Sequence, residues 1–386
     1  MIDKEERLGT ETLLYDNGVI WLTGISDNKL YTYDLCSRKT TLFYTFEDEK
    51  ENQKSLFRAI SKKDNLLFLI PFSASALYVI DVLTKKVKKR EIAALCQSEY
   101  KDYDSTKKFS AFAWHENSIF LIGTTYPAIV KYDCAADTMT YITDWFNEVQ
   151  KRFTDYIDFI FKMICVDGKR FFAPCCRSSC VMEFDMETLE YKVHDLDTDV
   201  KGFIAICKNE DKFWLIPRID EKIICWDILK KKNEEYTFLK NEATYMNFYS
   251  DLIEVDRKHI MLLGGGADDT LLLDTEQKTM EIISERLHHL GPLSYGGCDK
   301  SVFYVFSVYY KLLVKIENKK VCFRKIYSPQ YCEVLEKQAV SCVQRENASN
   351  TLEELVDEIS GLDGNLSDKK SKTSYGELIW NYIKNK

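Results

Sequence analysis

The sequence contains no apolar stretch long enough to cross a membrane. A spanning helix needs roughly 18 consecutive apolar residues, and charged residues interrupt every apolar run before that length. The amino-terminal segment, residues 1–7, also lacks the apolar core of a secretory signal. We therefore expect a cytoplasmic protein that has no membrane partner.

Extended basic runs are absent too. Lysines cluster only in pairs and triplets, such as the one at 230–232, and 61 acidic residues outnumber 53 basic ones to give a net charge of -8. Proteins that bind nucleic acids neutralise phosphates with clustered lysine and arginine. We therefore expect no nucleic-acid partner.

The cysteines do not form a disulfide pattern. There are 13 of them, an odd number, and most lie inside apolar runs such as the one around Cys225, which is typical of small buried residues in a reducing compartment. Cys175, Cys176 and Cys180 flank one predicted turn, where they could hold a metal. A zinc site needs four ligands and no histidine pair is near in sequence, so cross-strand packing explains these cysteines better. We expect no metal and no cofactor.

Motifs of common catalytic sites are also missing. The sequence has no phosphate-binding glycine loop, nucleophile elbow or zincin helix, and the glycines at 264–266 are followed by neither a helix nor a lysine. His288 and His289 lie in a predicted loop, and a proton-transfer role would need a carboxylate partner that the sequence does not place. We predict no catalytic residue, and whether the protein is an enzyme stays open.

What the sequence does contain is a repeat. An apolar run ends in Pro or Gly, a short polar stretch follows, and a second apolar run ends in an acidic residue. Asp34 and Asp274 are separated by 240 residues and five repeats, so the mean period is 48 residues. A period of 40 to 50 residues built from short strands is typical of propeller blades. Six copies show the pattern clearly: Gly24 to Asp34, Pro71 to Asp81, Gly123 to Asp133, Pro174 to Asp185, Pro217 to Asp227 and Gly264 to Asp274.

Each repeat predicts four β-strands, most clearly in the second copy. There the inner strand a covers 57–61, strand b covers 66–70, strand c covers 76–80 and strand d covers 87–92. Strands b and c are apolar on both faces, as expected where each sheet is sandwiched between neighbours, whereas the more polar strand d lies at the rim. We expect the acidic residue after strand c to cap the following turn.

The strand pattern, with strand ends such as Tyr33-Asp34, Tyr132-Asp133 and Trp226-Asp227, resembles the kelch and WD40-like propeller superfamily over about residues 10–330. The chain departs from kelch repeats in lacking paired glycines in most copies, and from WD40 repeats in lacking Gly-His and a repeated Trp-Asp. The resemblance implies an all-β, seven-bladed β-propeller of four-stranded blades and a tendency to bind other molecules.

The ends of the chain complete the predicted domain organisation. Residues 1–9 form a lead, 10–330 the propeller, and 331–386 a short α-helical tail with a flexible linker. Inner strand 10–15 and rim strand 321–326 give the first and last blades their own full sets of strands, so closure needs no exchanged strand. The tail contains a capping box at 351–354 and is a candidate to join the two blades; the alternative is a partner-binding peptide.

Function is expected on the face that carries the b–c and d–a loops, because long loops on a rigid ring hold sites. The d–a loops at 93–108, 142–158, 239–247 and 285–291 are the long ones. Two arginines could bind a carboxylate or phosphate, and aromatic rings could stack on a sugar or peptide. The alternative is that these loop residues simply diverge on solvated tips. The candidate ligand-binding residues are Phe72, Tyr126, Trp145, Arg177, Arg218, His288 and Tyr309.

Three functions remain open from the sequence. The first is a non-catalytic binding or scaffolding propeller that recognises a peptide, a protein or a small-molecule ligand. The second is a propeller enzyme of the hydrolase, lyase or cyclotransferase kind, which a deep pocket with a displaced carboxylate pKa would favour. The third is an assembly hub that recruits its partner through the tail.

Overall fold

The computed structural model describes residues 7–50, 53–95, 107–153, 160–220, 222–237, 249–265, 269–288 and 290–330. In this part of the chain, 28 strands form seven antiparallel sheets of four strands each, and every sheet contains four consecutive strands. The inner strands of most neighbouring sheets contact one another, those of the first and last sheets also meet, and the third and fourth sheets share a buried apolar cluster. The predicted seven-bladed propeller is therefore confirmed.

The first four blades follow one another along the chain. Blade 1 contains β1 (Thr12–Asp16), β2 (Val19–Thr23), β3 (Lys29–Asp34) and β4 (Thr40–Thr45). Blade 2 contains β5 (Phe57–Lys63), β6 (Leu66–Pro71), β7 (Ala76–Asp81) and β8 (Val87–Glu91). Blade 3 contains β9 (Phe109–His115), β10 (Ser118–Gly123), β11 (Ile129–Asp133) and β12 (Thr138–Ile142). The helix α1 (Asp144–Gln150) precedes blade 4, which contains β13 (Cys165–Asp167), β14 (Arg170–Pro174), β15 (Cys180–Asp185) and β16 (Tyr191–Asp195).

The last three blades repeat the same arrangement. Blade 5 contains β17 (Phe203–Asn209), β18 (Lys212–Pro217), β19 (Lys222–Asp227) and β20 (Lys232–Thr237). Blade 6 contains β21 (Tyr249–Glu254), β22 (His259–Gly264), β23 (Leu271–Asp274) and β24 (Thr279–Ile282). A 3-10 turn at Glu285–Leu287 leads to blade 7, which contains β25 (Leu293–Asp299), β26 (Val302–Ser307), β27 (Leu312–Glu317) and β28 (Lys320–Lys325).

Packing between blades explains why the second strand of each unit is almost entirely apolar. In β6, Leu67 and Leu69 pack with residues of blade 1, whereas Phe68 and Ile70 pack with residues of blade 3. Alternate side chains of one strand thus face two different neighbours. Each buried apolar side chain contributes about 1.5–3 kcal/mol to the free energy of folding. A second strand that was polar on one face would lose about half of the summed contribution of its side chains. Rim strand β8, in contrast, has no fully buried residue.

The acidic residues after the third strand cap turns, as predicted, in six of the seven blades. In blade 2, Asp81 Oδ1 accepts hydrogen bonds from the N–H groups of Leu83 and Thr84, both at 2.9 Å. These backbone donors hold the pKa of Asp81 below its ordinary value. Blade 7 differs, because Asn318 and Lys319 adopt positive φ angles of 48° and 63° and form a two-residue hairpin after Glu317. The other capping residues are Asp34, Asp133, Asp185, Asp227 and Asp274.

The seam between blades 7 and 1 is joined by the amino-terminal lead. Blades 1 and 7 keep four strands of their own, as predicted. Leu8 N donates to Ile326 O at 2.9 Å, and Ile25 N donates to Gly9 O at 2.9 Å. Arg7 also forms a β-bridge with Tyr327. The lead therefore joins the two blades, and the predicted role of the tail stays a prediction because the tail lies outside the described residues.

The chain divides into two compact units, Met1–Val334 and Leu335–Lys386, and all described residues belong to the first. None of the helices among these residues has the length and apolar character that a membrane span requires. The predicted boundaries of the lead and the tail stay predictions.

Candidate functional site

Four of the seven inner strands contain one inserted residue near the start of the strand. The upper face of the ring is the one that carries b–c turns such as 72–75 and d–a connections such as 285–291; the lower face carries the a–b and c–d turns. Register shifts near the upper face mark β-bulges in β5, β9, β17 and β21. A bulge re-aims the side chain that it inserts. The inserted residues are Arg58, Ser110, Ile204 and Ser250.

Hydroxyl groups at this level connect one blade to the next. Thr12 Oγ1 donates to Phe57 O at 2.7 Å, from blade 1 to blade 2. Ser110 Oγ donates to Lys162 O at 2.9 Å, from blade 3 to the segment that leads into blade 4. Ser250 Oγ donates to Leu293 O at 2.6 Å, from blade 6 to blade 7. These bonds hold the inner strands in fixed positions around the mouth of the ring.

A direct ion pair lies at the upper mouth between blades 1 and 2. Arg58 Nη2 is 3.0 Å from Glu11 Oε2, and Ser55 Oγ donates to the same carboxylate oxygen at 2.7 Å. The Arg58 guanidinium also lies 4.6 Å from the centre of the Phe72 ring. Both charges therefore have a close partner of opposite sign.

A second pair of opposite charges, Lys162 and Asp251, is arranged differently. Lys162 Nζ donates to Ser250 O at 3.4 Å, which spans from blade 4 to blade 6. Asp251 is 8% exposed, and its carboxylate accepts a hydrogen bond from Leu252 N at 2.8 Å. Burial raises the pKa of Asp251 to about 7, against the lowering effect of Lys162. Burial likewise lowers the pKa of Lys162, against the raising effect of Asp251.

Two further cations lie beside this pair. Burial raises the pKa of the Cys176 thiol to about 12, and the charges of Lys162, Arg218 and Arg177 oppose that rise. All three cations are therefore close enough to act on one thiol in the b–c turn of blade 4. Arg177 also lies over the ring of Phe153, 4.8 Å from its centre.

The structure brings together some of the predicted site residues. Arg177 and Arg218 both act electrostatically on the Cys176 thiol, and the Phe72 ring lies beneath the Arg58 guanidinium. Arg177 and Phe72 are themselves buried, at 8% and 5% exposure. His288 Nδ1 is 3.0 Å from Asp269 Oδ1, so the carboxylate partner that the sequence did not place is 19 residues before it. Tyr309, in the b–c turn of blade 7, is 59% exposed.

Tyr126 and Trp145 are placed in the core instead. Tyr126 is 1% exposed, and its hydroxyl donates to Ala93 O at 2.6 Å. Trp145 is fully buried in α1, and its Nε1 donates to Ile142 O at 2.9 Å. Their rings support the loops of the upper face and offer no surface for stacking.

Sequence reasoning missed four charged residues at the mouth. The predicted candidates lie mostly in the loops after strand b, whereas Glu11, Arg58, Lys162 and Asp251 lie at or just before the inner strands. The available signal was a charged or polar residue at the start of an otherwise apolar inner strand, such as Arg58 next to Phe57. One such residue in several repeats predicts a charged ring around the axis.

A large cavity opens at the other end of the ring. It has a volume of about 680 Å³ and is lined by inner-strand and a–b turn residues of blades 4, 5 and 6. Lys208 Nζ is 2.8 Å from Asp167 Oδ2 on its wall. Burial raises the pKa of Cys165 to about 11, so this thiol keeps its proton at neutral pH. The charged lining residues are Asp167, Lys208, Glu210, Glu254 and Arg257.

Comparison with known proteins identifies a fold and no family. No protein-family model and no curated protein matches the sequence. Virginiamycin B lyase from Staphylococcus aureus is 12% identical with a TM-score of 0.61, covering 80% of this chain and 95% of the lyase. YCF48 bound to D1 peptide is 14% identical with a TM-score of 0.55, covering 83% and 93%.

A third similar structure contains WD40 repeats. The RRP9 WD40 repeats are 11% identical with a TM-score of 0.51, covering 80% of this chain and 87% of that one. The three neighbours include an enzyme, a peptide-bound protein and a WD40 repeat protein, so the shared feature is the architecture. The chain is therefore a seven-bladed β-propeller.

Proposed function

We propose that the protein is a binding propeller that holds a peptide or protein partner at the upper mouth of its ring. The observation that carries this proposal is the convergence of charged side chains from four blades. Glu11, Arg58, Lys162 and Asp251 come from blades 1, 2, 4 and 6 and meet at one level near the axis. A different residue type from each blade suits one specific ligand held by several blades.

The surrounding residues extend this surface outward. Arg177 and Arg218 supply cations that suit a carboxylate of the partner. The His288–Asp269 pair and the exposed ring of Tyr309 add polar and aromatic groups from blades 6 and 7. YCF48, which has a similar fold, binds the D1 peptide, and this supports the view that the architecture can hold a peptide. We place this binding in the cytoplasm. The described part of the chain contains ten cysteines, all of them free, which is typical of a reducing compartment.

Random peptides displayed on phage provide the test. Peptides selected on the intact protein should lose most of their binding to Arg58→Met and Lys162→Met, which remove a charge and keep a side chain of similar length. Arg257→Met is the matched control, because Arg257 is also a cation near the axis but lines the lower cavity. It should keep full binding.

Two results would contradict the proposal. One is the absence of any peptide enriched on the intact protein. The other is a set of peptides that binds the two upper-mouth variants as well as the unaltered protein, or that loses binding only in Arg257→Met.

An enzymatic function is a second candidate, and the environment of Asp251 favours it. Its pKa is raised to about 7, where a carboxyl group can both take and give a proton at neutral pH. The test is a panel of ester, lactone and depsipeptide substrates. Hydrolysis or elimination that follows a titration near pH 7 and disappears in Asp251→Asn supports an enzyme. Turnover that is unchanged in this variant rules Asp251 out as the acid or base.

A further inference from the structure

Two cysteines lie directly opposite each other at the b–c turn of blade 4. The register of β14 and β15 pairs Pro174 with Val181, so Cys175 and Cys180 are the next pair toward the upper face. Cys175 N donates to Cys180 O at 2.9 Å, in agreement with this pairing. The Cα atoms of residues opposite each other on antiparallel strands lie about 4.5–5.5 Å apart. A disulfide spans roughly 4.4–6.8 Å between Cα atoms, so the backbone already suits one.

The two thiols also contact each other inside a small polar network. The side chains of Cys175 and Cys180 share a hydrogen bond. Arg177 N donates to Cys175 Sγ at 3.4 Å, and Ser178 Oγ is 3.0 Å from Cys180 Sγ. Both cysteines are buried, at 0% and 1% exposure, and both are free thiols. The turn therefore holds two reduced sulfur atoms side by side.

The adjacent cysteine, Cys176, faces the other way. Cys175 and Cys180 belong to the apolar cluster shared by blades 3 and 4, whereas Cys176 packs in the cluster of blades 5 and 6. Successive side chains of an extended backbone point to opposite sides. Cys176 is therefore turned away from Cys180 and provides a matched control one position along the chain.

The hydrogen bonds affect the two paired thiols in opposite ways. Burial by itself would raise the pKa of Cys175, but hydrogen bonds from Cys180, Ser178 and Arg177 N outweigh it and lower the pKa to about 7. The hydrogen bond to Cys175, together with burial, raises the pKa of Cys180. Cys175 therefore has thiolate character at neutral pH, and the thiolate is the nucleophilic form of cysteine.

We propose that Cys175 and Cys180 are a redox-active dithiol that hydrogen peroxide converts into a disulfide. In the first step the Cys175 sulfur attacks a peroxide oxygen, so that an S–O bond forms and the O–O bond breaks. The hydroxide that leaves takes up the proton that Cys175 has released and becomes water. The product on Cys175 is a sulfenic acid.

In the second step the Cys180 sulfur attacks the sulfur of this sulfenic acid. The S–S bond forms, the S–O bond breaks, and the departing hydroxide takes the proton of Cys180 as a second water. Two thiols and one peroxide thus become one disulfide and two waters, with the two sulfur atoms oxidised and the two peroxide oxygens reduced.

The surroundings of the pair favour peroxide as the oxidant. Peroxide is small and uncharged, so a brief local opening of the b–c turn is enough to admit it to buried thiols. In the described part of the chain, no group of three or more potential ligands could hold a metal ion, and none therefore competes for these sulfur atoms. Disulfides of reducing compartments are usually transient and redox-sensing, which suits a pair that is reduced at rest.

Trypsin provides the test, because it cuts after Arg177 and so between the two cysteines. The full chain is treated with one equivalent of hydrogen peroxide, its remaining thiols are blocked with N-ethylmaleimide during unfolding, and it is digested without reductant. We expect mass spectrometry to find peptides 171–177 and 178–192 joined, at least about tenfold more abundantly than any other disulfide-linked pair. Dithiothreitol should separate them again.

Three variants assign the bond, because Cys175 and Cys176 lie in the same tryptic peptide. Cys175→Ala and Cys180→Ala should each abolish the joined species, whereas Cys176→Ala should keep it. Thermal unfolding confirms that each variant is folded. If Cys175→Ala does not fold, fragmentation of the joined peptides from the unaltered protein shows which of the two neighbouring cysteines carries the bond.

Three results would overturn the proposal. One is the absence of the joined peptides, and another is their undiminished formation in Cys175→Ala. The third is oxidation of the exposed Cys36, Cys298 and Cys322 while the paired thiols stay reduced, which would mean that Cys175 and Cys180 only fill space in the core. Formation of the bond needs no ligand at the upper mouth, so its failure leaves the proposed function untouched.

Discussion

Asp251 shows how one buried carboxyl group affects the stability of the whole ring. Burial raises its pKa from the ordinary value of 3.8 to about 7. The folded chain therefore keeps a proton on Asp251 in a pH range where the unfolded chain has released it. The folded state binds more protons between these two values, so its stability falls as the pH rises through them.

Replacing Asp251 with Asn should remove this penalty. At about pH 8 we expect the variant to be more stable than the unaltered protein by up to about 4 kcal/mol, and the difference should shrink toward zero as the pH approaches 4. Asn keeps an oxygen that can accept from Leu252 N. Lys162, Tyr295 and Cys207 are titratable groups that interact electrostatically with Asp251. Urea unfolding across this range measures the effect.

Asp211→Asn provides the control, because Asp211 is exposed in the a–b turn of blade 5. Its stability difference from the unaltered protein should not depend on pH. A pH-independent difference for Asp251→Asn, or a loss of stability at about pH 8, would mean that the carboxylate is well solvated or tightly paired in the folded chain.

The sequence alone could not show whether an aromatic residue in a predicted loop is buried or exposed. Tyr126 and Trp145 were assigned to the binding surface because they fall in predicted loops. Both are buried, because those connections fold back over the blades and bury their rings. Sequence position shows that a ring lies in a loop, but only tertiary packing decides which side of the loop faces the core.

At the scale of the strand, the order and the apolar character of the elements could be predicted. Strands such as β6 and β7 follow from continuous apolar runs bounded by turn residues, which a blade sandwiched between two others requires. The bulges at Arg58 and Ser250 could not be predicted, because one inserted residue hardly changes the apolar pattern.

The c–d turns provide a prediction at this scale. Asp81→Ala removes the acceptor of two backbone hydrogen bonds in blade 2, so it should lower the unfolding temperature, whereas Asp81→Asn should lower it less. Glu317→Ala in blade 7 should have the smallest effect, because its two-residue hairpin has a different geometry. Calorimetry of the three variants at neutral pH measures the order.

The sign of the pH effect adds a second readout for Asp81. Its pKa lies below the ordinary value of 3.8, so its contribution is present above that pH and is lost as the carboxylate becomes protonated. The difference between Asp81→Ala and the unaltered protein should therefore shrink in acid. Equal effects of Asp81→Ala and Glu317→Ala would contradict the capping role.

At the scale of the whole molecule, the seam that closes the ring includes a segment that sequence analysis treated as a lead. The apolar face of blade 7 packs on blade 1 through residues such as Phe306 and Leu13, and the rings of Tyr15 and Tyr304 stack at 4.8 Å. The apolar pattern predicted this packing. The contact of Leu8 with Ile326 joins residues at opposite ends of the propeller, and such long-range pairing leaves no periodic signal in the sequence.

Removal of residues 1–9 should therefore weaken the interface between blades 7 and 1 more than any other interface between blades. The deletion removes the hydrogen bond from Leu8 N to Ile326 O and the Leu8 side chain, which is 7% exposed. We expect a loss of at least about 2 kcal/mol, most of which Leu8→Ala should reproduce, because a buried leucine contributes this much. Deletion of residues 1–6 alone keeps these contacts and is the control.

Hydrogen exchange shows where the deletion reduces stability, because a ring that opens between two blades exposes only the strands beside the opening. Amides of β1 and β28 should exchange faster after deletion of residues 1–9, whereas those of β10 and β14, on the other side of the ring, should change least. Uniform acceleration in all blades would mean that the ring unfolds as one cooperative unit and that the lead is not specific to the seam. Unchanged exchange in every blade would mean that face packing between blades 7 and 1 is sufficient to close the propeller.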